Sequence, residues 1–284
     1  MGTVPETPTG GSPGAPPAQR GAVGPRLELD RVWVTYGDIV AVRDASLHIG
    51  PGTTVAIIGP NGSGKSTLLS TISGLVHPSR GGVSVTDADG RHGRNTVAHV
   101  LQTTVANQAV PLTVLETVRM GAYGHRGMVG RLTAEDRTAV EDAIQRMRID
   151  DLRNRQLHEL SGGQRQRAYV AQGLAQRAGI LLLDEPITGL DIVTQEVITQ
   201  VIDEERNRGR IVILTTHDVG TARLADVAVL IATDIIAAGA PEVALTPDLL
   251  SQAYGGHVHV LEDGTLVLDD PHTHDHRHEN QLGS

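Results

Sequence analysis

The stretch "TVAIIGPNGSGKSTLLSTISGL" (54–75) gives the strongest indication of the fold. It begins as a short apolar run rich in branched residues, which predicts a buried strand, and it ends in a helical pattern. The part between them, "GPNGSGKST" (59–67), fits the spacing G-x-x-x-x-G-K-[ST]. A glycine-rich loop in this position directs backbone N–H groups and a helix dipole at one point, which suits an anion. The stretch therefore predicts a phosphate-binding loop.

We expect the whole loop to contact nucleotide phosphates. Lys65 would place its charge against the β- and γ-phosphates, and the Ser66 hydroxyl would be a ligand to Mg²⁺. The alternative is a plain glycine-rich turn, which the correct flanks and the Lys-Ser pair disfavour. The predicted contact residues are Gly59, Pro60, Asn61, Gly62, Ser63, Gly64, Lys65, Ser66 and Thr67.

A second half of the site is predicted at "ILLLDEP" (180–186), where two acidic residues follow a short apolar run. Asp184 would hold Mg²⁺, and Glu185 would orient or deprotonate the attacking water. Adjacent acidic residues are often only a solvated loop. The four apolar residues before them favour the functional interpretation.

Further short apolar runs at 179–185 and 210–217 match the run at 53–59, with helical periodicities between them. This alternation predicts a parallel sheet covered on both faces, and therefore the α/β class. Residues 27–49 alternate between apolar and polar, which predicts antiparallel strands joined to that sheet. Residues 103–167 carry mostly helical signal and are predicted to form an inserted helical subdomain.

Composition limits the remaining possibilities. The 284 residues carry a net charge of −9, which disfavours a nucleic-acid surface, and the absence of cysteine excludes disulfides and suits the cytosol. We find no run of about 18 apolar residues that could span a bilayer. Residues 1–26 are rich in proline and glycine and are expected to be a disordered leader.

The stretch "ELSGGQRQR" (159–167) predicts a helix start, with Ser161 as the cap and Gln164 reaching back to it. Two glycines leave the first turn bare. Unpaired N–H groups and the helix dipole make such a start a second anion site.

These residues, over almost the whole span 27–256, resemble the nucleotide-binding subunit of ATP-binding cassette (ABC) transporters, which have a P-loop NTPase-type core. The loop, the "LSGGQ" signature and the acidic strand follow in the order found in that family. The resemblance implies ATP and Mg²⁺ as cofactors and a head-to-tail homodimer. In it, the signature residues of one subunit would contact the γ-phosphate bound by the other. Those residues are Ser161, Gly162, Gly163 and Gln164.

Single positions are assigned by the same resemblance. Tyr36 in "VTYGDI" matches the aromatic residue that stacks on adenine, and Gln102 in "HVLQTT" matches the glutamine that senses Mg²⁺ and water, as a metal ligand and catalytic residue. Asp191 matches the loop that passes between the two sites, and it is also a predicted helix N-cap. His217 matches the switch histidine that touches the γ-phosphate.

The stretch "TVLETVRMGAYGHRGMVGRL" (113–132) resembles the subunits for zinc, manganese and chelated-iron uptake, although Ala122 stands where that branch often has a basic residue. The resemblance implies an ATP-hydrolysing cytoplasmic subunit, peripheral on the inner face of the cell membrane. It would drive an integral-membrane permease that an extracytoplasmic solute-binding protein supplies. Three alternatives stay open: an importer for another substrate, a non-transport ATPase with a soluble partner, and a metal-responsive binding protein that uses ATP only as a structural ligand, which Glu185 disfavours.

The C-terminal part is predicted to be a β-hairpin (257–270) about Asp263-Gly264, followed by a flexible tail (271–284). Histidines alternate with polar residues in the tail, which suits transition metals but equally suits a plain polar tail. They are His272, His274, His276 and His278.

Overall fold

The computed structural model describes residues 24–86, 96–101, 111–125, 131–256, 258–260 and 266–268. Its centre is a nine-stranded sheet with the strand order 4-1-2-9-8-3-7-6-5. The strands are β1 (Arg26–Tyr36), β2 (Ile39–Ile49), β3 (Thr54–Ile58), β4 (Arg80–Thr86), β5 (Val97–Val100), β6 (Ile180–Leu183), β7 (Ile211–Thr216), β8 (Val227–Ala232) and β9 (Asp234–Gly239). A separate antiparallel pair joins β10 (Val258–Val260) to β11 (Leu266–Leu268).

Helices pack against this sheet and against one another. They are α1 (Lys65–Ile72), α2 (Val114–Ala122), α3 (Ala134–Arg146), α4 (Gly162–Ala175), α5 (Ile192–Asn207), α6 (Val219–Ala222), α7 (Pro241–Ala244) and α8 (Pro247–Ala253). Short 3₁₀ turns occupy Tyr123–His125, Asp150–Leu152 and Leu157–Glu159. No helix in the described part of the chain combines the length and the apolar character needed to cross a membrane.

The parallel core confirms the α/β prediction. β3 pairs in parallel with β7 and β8, and β6 pairs in parallel with β7 and β5. Every residue of β3, β6 and β7 is buried, as expected for strands covered on both faces. Because the carboxyl ends of parallel strands meet at one edge, the residues after β3, β6 and β7 are brought together.

The N-terminal prediction is also confirmed. β1 pairs antiparallel with β2 and with β4, and β2 joins the parallel part through the pairing of Arg43 with Asp234 in β9. The sequence analysis did not identify β4, β5, β8 or β9. The antiparallel pair β8–β9 turns tightly at Thr233, which has a positive φ of 69°.

The predicted helical stretch contains α2, α3 and the start of α4, which pack against one another. Val140 and Ile144 on α3 and the following Met147 are buried together in this packing. The predicted capping box at Ser161 is present, and Thr133 forms a second one with Asp136 at the start of α3. α8 begins at Pro247, with Thr246 as its cap.

Several predictions fall outside the described residues. They are the leader up to residue 23, Gln102, the Asp263-Gly264 turn and the histidines of the tail.

Candidate active site

The phosphate loop connects β3 to α1, and its backbone requires glycine at Gly64. This residue caps α1 with φ of 99°, in the left-handed region that disfavours side chains. A Cβ added there would also lie 2.3 Å from the carbonyl oxygen of Ala41 in β2. The loop is therefore held tightly against the β1–β2 hairpin.

Lys65, the first residue of α1, points back over the loop. Its Nζ atom donates to the carbonyl oxygens of Gly59 at 2.8 Å and Pro60 at 2.9 Å, and only 7% of the residue is exposed. A buried ammonium needs such partners because desolvation of a charge is costly. The loop thus holds one positive charge at the point where the helix N–H groups converge.

Asp184 follows β6 and lies against the loop. Its Oδ1 atom accepts hydrogen bonds from Thr215 Oγ1 at 2.6 Å and from Ser66 Oγ at 3.3 Å. Its backbone N–H donates to the carbonyl of Val100, which extends the β5–β6 ladder by one residue. The structure therefore brings together Ser66 and Asp184, which are 118 residues apart in the sequence.

Glu185 and His217 complete this edge. The Oε2 atom of Glu185 lies 3.7 Å from Nδ1 of His217, which places the two side chains in contact range without a direct hydrogen bond. The Glu185 side chain is 15% exposed, and that of His217 is 54% exposed. A carboxylate and an imidazole thus lie side by side after β6 and β7, and such a pair can transfer a proton to or from water.

The signature helix α4 starts at an exposed cap. Ser161 Oγ accepts from the backbone N–H of Gln164 at 3.3 Å, and the Gln164 side chain accepts from the Ser161 N–H at 3.1 Å. Since the serine oxygen acts as the acceptor in this bond, its own proton can be donated elsewhere. Ser161 and Gly162 are exposed, so this helix start is accessible to a second molecule.

Asp191 caps α5 and touches the signature helix. Its carboxylate accepts from the Thr194 N–H at 2.9 Å and from Thr194 Oγ1 at 2.8 Å. These hydrogen bonds hold the pKa of Asp191 below its ordinary value, and the charge of Arg167 adds to the effect. A Cβ on Gly163 would lie 2.8 Å from Thr194 Oγ1, so a larger residue there would force a shift at this contact between the two helix starts.

Two further positions were predicted from the resemblance. Tyr36 ends β1 and is 51% exposed, on the strand pair that packs against the phosphate loop. Gln102 lies outside the described residues.

His99 is a titratable group near the site that the sequence analysis missed. It lies on β5, and its Nδ1 atom is 3.1 Å from Ser73 Oγ at the end of α1. Burial lowers the pKa of His99, and the charge of Asp184 opposes this only in part. A lone histidine in a short strand carries no motif, so only the folded structure reveals it.

Comparisons with known proteins agree with a nucleotide site at this edge of the sheet. The family model described as ABC transporter matches residues 42–188, which include the phosphate loop, the signature and the acidic pair. The chain belongs to the ABC transporter family. ATP is therefore the nucleotide of this cassette, and ATP hydrolysis is its activity.

Two relatives match the cassette over most of its length. The chelated iron transport system membrane protein YfeB of Yersinia pestis is 39% identical over 253 residues, covering 87% of this chain and 86% of that protein. The manganese transport system ATP-binding protein MntA of Synechocystis sp. is 36% identical over 237 residues, covering 81% and 90%. Among solved structures, a dimeric bacterial ABC transporter cassette is 29% identical with a TM-score of 0.65, covering 76% of this chain and 98% of that chain. Cassettes of this family dimerise and work with a membrane permease.

Proposed function

We propose that this cassette is the Mg²⁺-dependent ATPase subunit of an importer for a transition-metal ion. It would act as a homodimer, cytoplasmic and peripheral on the inner face of the cell membrane. The observation that carries the catalytic part is the convergence of Lys65, Asp184, Glu185 and His217 at one edge of the sheet. The names of the two relatives, which describe chelated-iron and manganese transport, support a transition metal as the transported ion.

The residues at this edge suit Mg²⁺. The Ser66 hydroxyl and the Asp184 carboxylate are oxygen ligands 3.3 Å apart, and a hard cation of this size prefers oxygen. When bound, Mg²⁺ supplies positive charge against the β- and γ-phosphates. Gln102 is proposed as a further ligand from the resemblance.

The chain's own residues perform the remaining tasks. The backbone N–H groups of the loop and Lys65 bind the phosphates and neutralise charge that develops during cleavage. Glu185 orients the attacking water and accepts its proton, and His217 touches the γ-phosphate. Tyr36 offers a flat exposed ring on which adenine can stack.

The signature of each subunit would complete the site of the other. Ser161 and the first N–H groups of α4 would donate to the γ-phosphate bound by the partner. Exposed apolar residues beside Asp191 support a subunit interface here, because Ile192 is 73% exposed and Val193 61% exposed. ATP would then stabilise the dimer, and hydrolysis would weaken it.

Coupling to a permease is proposed at the helical stretch. Met120 on α2 is 51% exposed, and Leu101, directly before Gln102, is 55% exposed. Apolar side chains at these positions suit contact with a membrane subunit. An extracytoplasmic solute-binding protein would deliver the metal to that permease. The same proposal divides the chain into a leader (1–26), the cassette (27–256), the hairpin (257–270) and the tail (271–284).

The cargo is tested by the zinc, manganese and iron content of cells that carry either this chain or its Glu185→Gln form. The proposal predicts a selective fall of one metal in the mutant cells. Unchanged metal content, while the purified unmodified chain still hydrolyses Mg²⁺-ATP, would refute metal import and leave the nucleotide chemistry standing. Copurification of the chain with a soluble protein and no membrane subunit would favour a non-transport ATPase.

A further inference from the structure

Thr215 is a polar residue in the wholly buried strand β7, where an apolar residue would be expected. The residue is fully buried in β7, pairs with Ile57 of β3 and lies one step beyond the last pair of β6 with β7. Valine has nearly the same shape and no polar atom to desolvate, so it would suit an apolar strand better. The threonine must therefore be explained by its hydrogen bonds.

The hydroxyl bridges the two acidic residues of the site. Its oxygen accepts from the backbone N–H of Glu185 at 2.8 Å, and its single proton is donated to Asp184 Oδ1 at 2.6 Å. An N–H group can only donate and a carboxylate can only accept, so the direction of both bonds is fixed. Asp184 is thereby the acceptor in its bond with Thr215.

The Glu185 bond acts on a strained backbone. Glu185 has φ of 47°, in the left-handed region that a residue with a side chain adopts only when its surroundings hold it there. The Thr215 oxygen satisfies the N–H of this residue at the turn after β6. The conformation of this turn determines where the Glu185 carboxylate points.

We propose that Thr215 is a positioning residue that fixes the Asp184 carboxylate and the Glu185 backbone together. This inference rests on the proposed roles of both acidic residues. Loss of the hydroxyl leaves the fold in place but frees the Asp184 oxygen and the Glu185 turn. Partners that orient a metal ligand commonly contribute about 10- to 100-fold to metal affinity or activity.

The test compares Thr215→Val with Thr215→Ser in the full chain. We expect the valine variant to lose at least about tenfold in kcat with a smaller change in the KM for ATP, and the serine variant to stay within about threefold of the unmodified protein. Thr54→Val is the matched control. The Thr54 hydroxyl, at the far end of β3, is buried with no hydrogen-bond partner among the described residues, so its removal should not change kcat.

A second readout does not depend on turnover. It is the factor by which Mg²⁺ tightens the binding of a fluorescent ATP analogue relative to binding in EDTA. We expect this factor to fall about tenfold or to vanish in Thr215→Val, with the affinity in EDTA nearly unchanged. If the valine variant does not fold, Thr215→Ala replaces it, because alanine and serine differ only in the hydroxyl.

The role is refuted if kcat and the Mg²⁺ factor of the hydroxyl-free variant stay within about twofold of the unmodified protein. Equal losses in the serine and hydroxyl-free variants would also refute it, since the hydroxyl would then not be the cause. Absence of ATP turnover in the unmodified chain would instead overturn the proposed function. The Mg²⁺ factor still tests Thr215 in that case.

Discussion

Replacing Glu205 by glutamine should destabilise the cassette strongly. Glu205 lies on α5 with no exposed surface, and its carboxylate contacts Arg146 of α3 at 2.8 Å, Arg208 at 3.0 Å, and Arg210. Arg146 is 11% exposed on its side chain, so its charge is largely buried as well. The substitution keeps the shape and removes the one fully buried negative charge of this cluster, so that Arg146 keeps only its more exposed partners Glu204 and Asp142.

The size of this effect follows from the burial. Breaking a buried ion pair by removing one partner costs about 3–5 kcal/mol. For a domain of this size, 1 kcal/mol shifts the melting temperature by about 2–4 °C. We therefore expect Glu205→Gln to lower the melting temperature by at least about 6 °C. Because Arg146 ends α3, the variant should also loosen the attachment of the helical stretch to α5.

The assay is thermal unfolding of both proteins followed by circular dichroism at the same pH and salt. Glu204→Gln is the matched control. Glu204 is the preceding residue on α5 and contacts Arg146 at 2.8 Å, but its side chain is 35% exposed. Because the Glu204 carboxylate is partly hydrated, its substitution should lower the melting temperature by less than that of Glu205. Equal melting temperatures for the Glu205 variant and the control would refute the importance of burial in this cluster.

Further predictions concern the signature contact and the buried histidine. Gly163→Ala should lower kcat about tenfold. The new methyl would lie 2.8 Å from Thr194 Oγ1 and would displace the start of α4, which is proposed to contact the γ-phosphate bound by the partner subunit. Gly50→Ala, whose methyl meets nothing within 4 Å, is its control. A Gly163→Ala variant as active as that control would contradict the close-contact argument. The lowered pKa of His99 means that the unfolded chain binds a proton more readily than the folded one, so stability should fall as pH drops below 6.5. Between pH 8 and pH 5.5, the melting temperature of His99→Gln should therefore fall by less than that of the unmodified protein. An equal fall in both proteins would contradict this role of His99.

The centre of the fold could be predicted from the sequence because local signals agree there. The phosphate loop sits between a branched apolar strand and a helix, and β3, β6 and β7 are short apolar runs with clear ends. The capping box at Ser161 could be predicted because it is a contact between residues three apart in the sequence.

What could not be predicted depends on distant residues. The run that forms β8 and β9 is apolar along most of its length, so periodicity alone cannot separate two strands from a helix. The contact of Arg146 with Glu205 joins residues that no motif connects. Thr215 was visible only as the threonine before Thr216 and His217, and its bond to Asp184 exists only because β6 and β7 are neighbours.

The central claim is that ATP joins two copies of this chain in a shared site. The direct measurement is the molar mass of the Glu185→Gln protein by light scattering, with ATP, with ADP and without nucleotide. We expect a mass of twice the 30.0 kDa chain with ATP, and that of a single chain with ADP or without nucleotide. A protein that binds ATP and keeps the mass of a single chain would contradict the shared site.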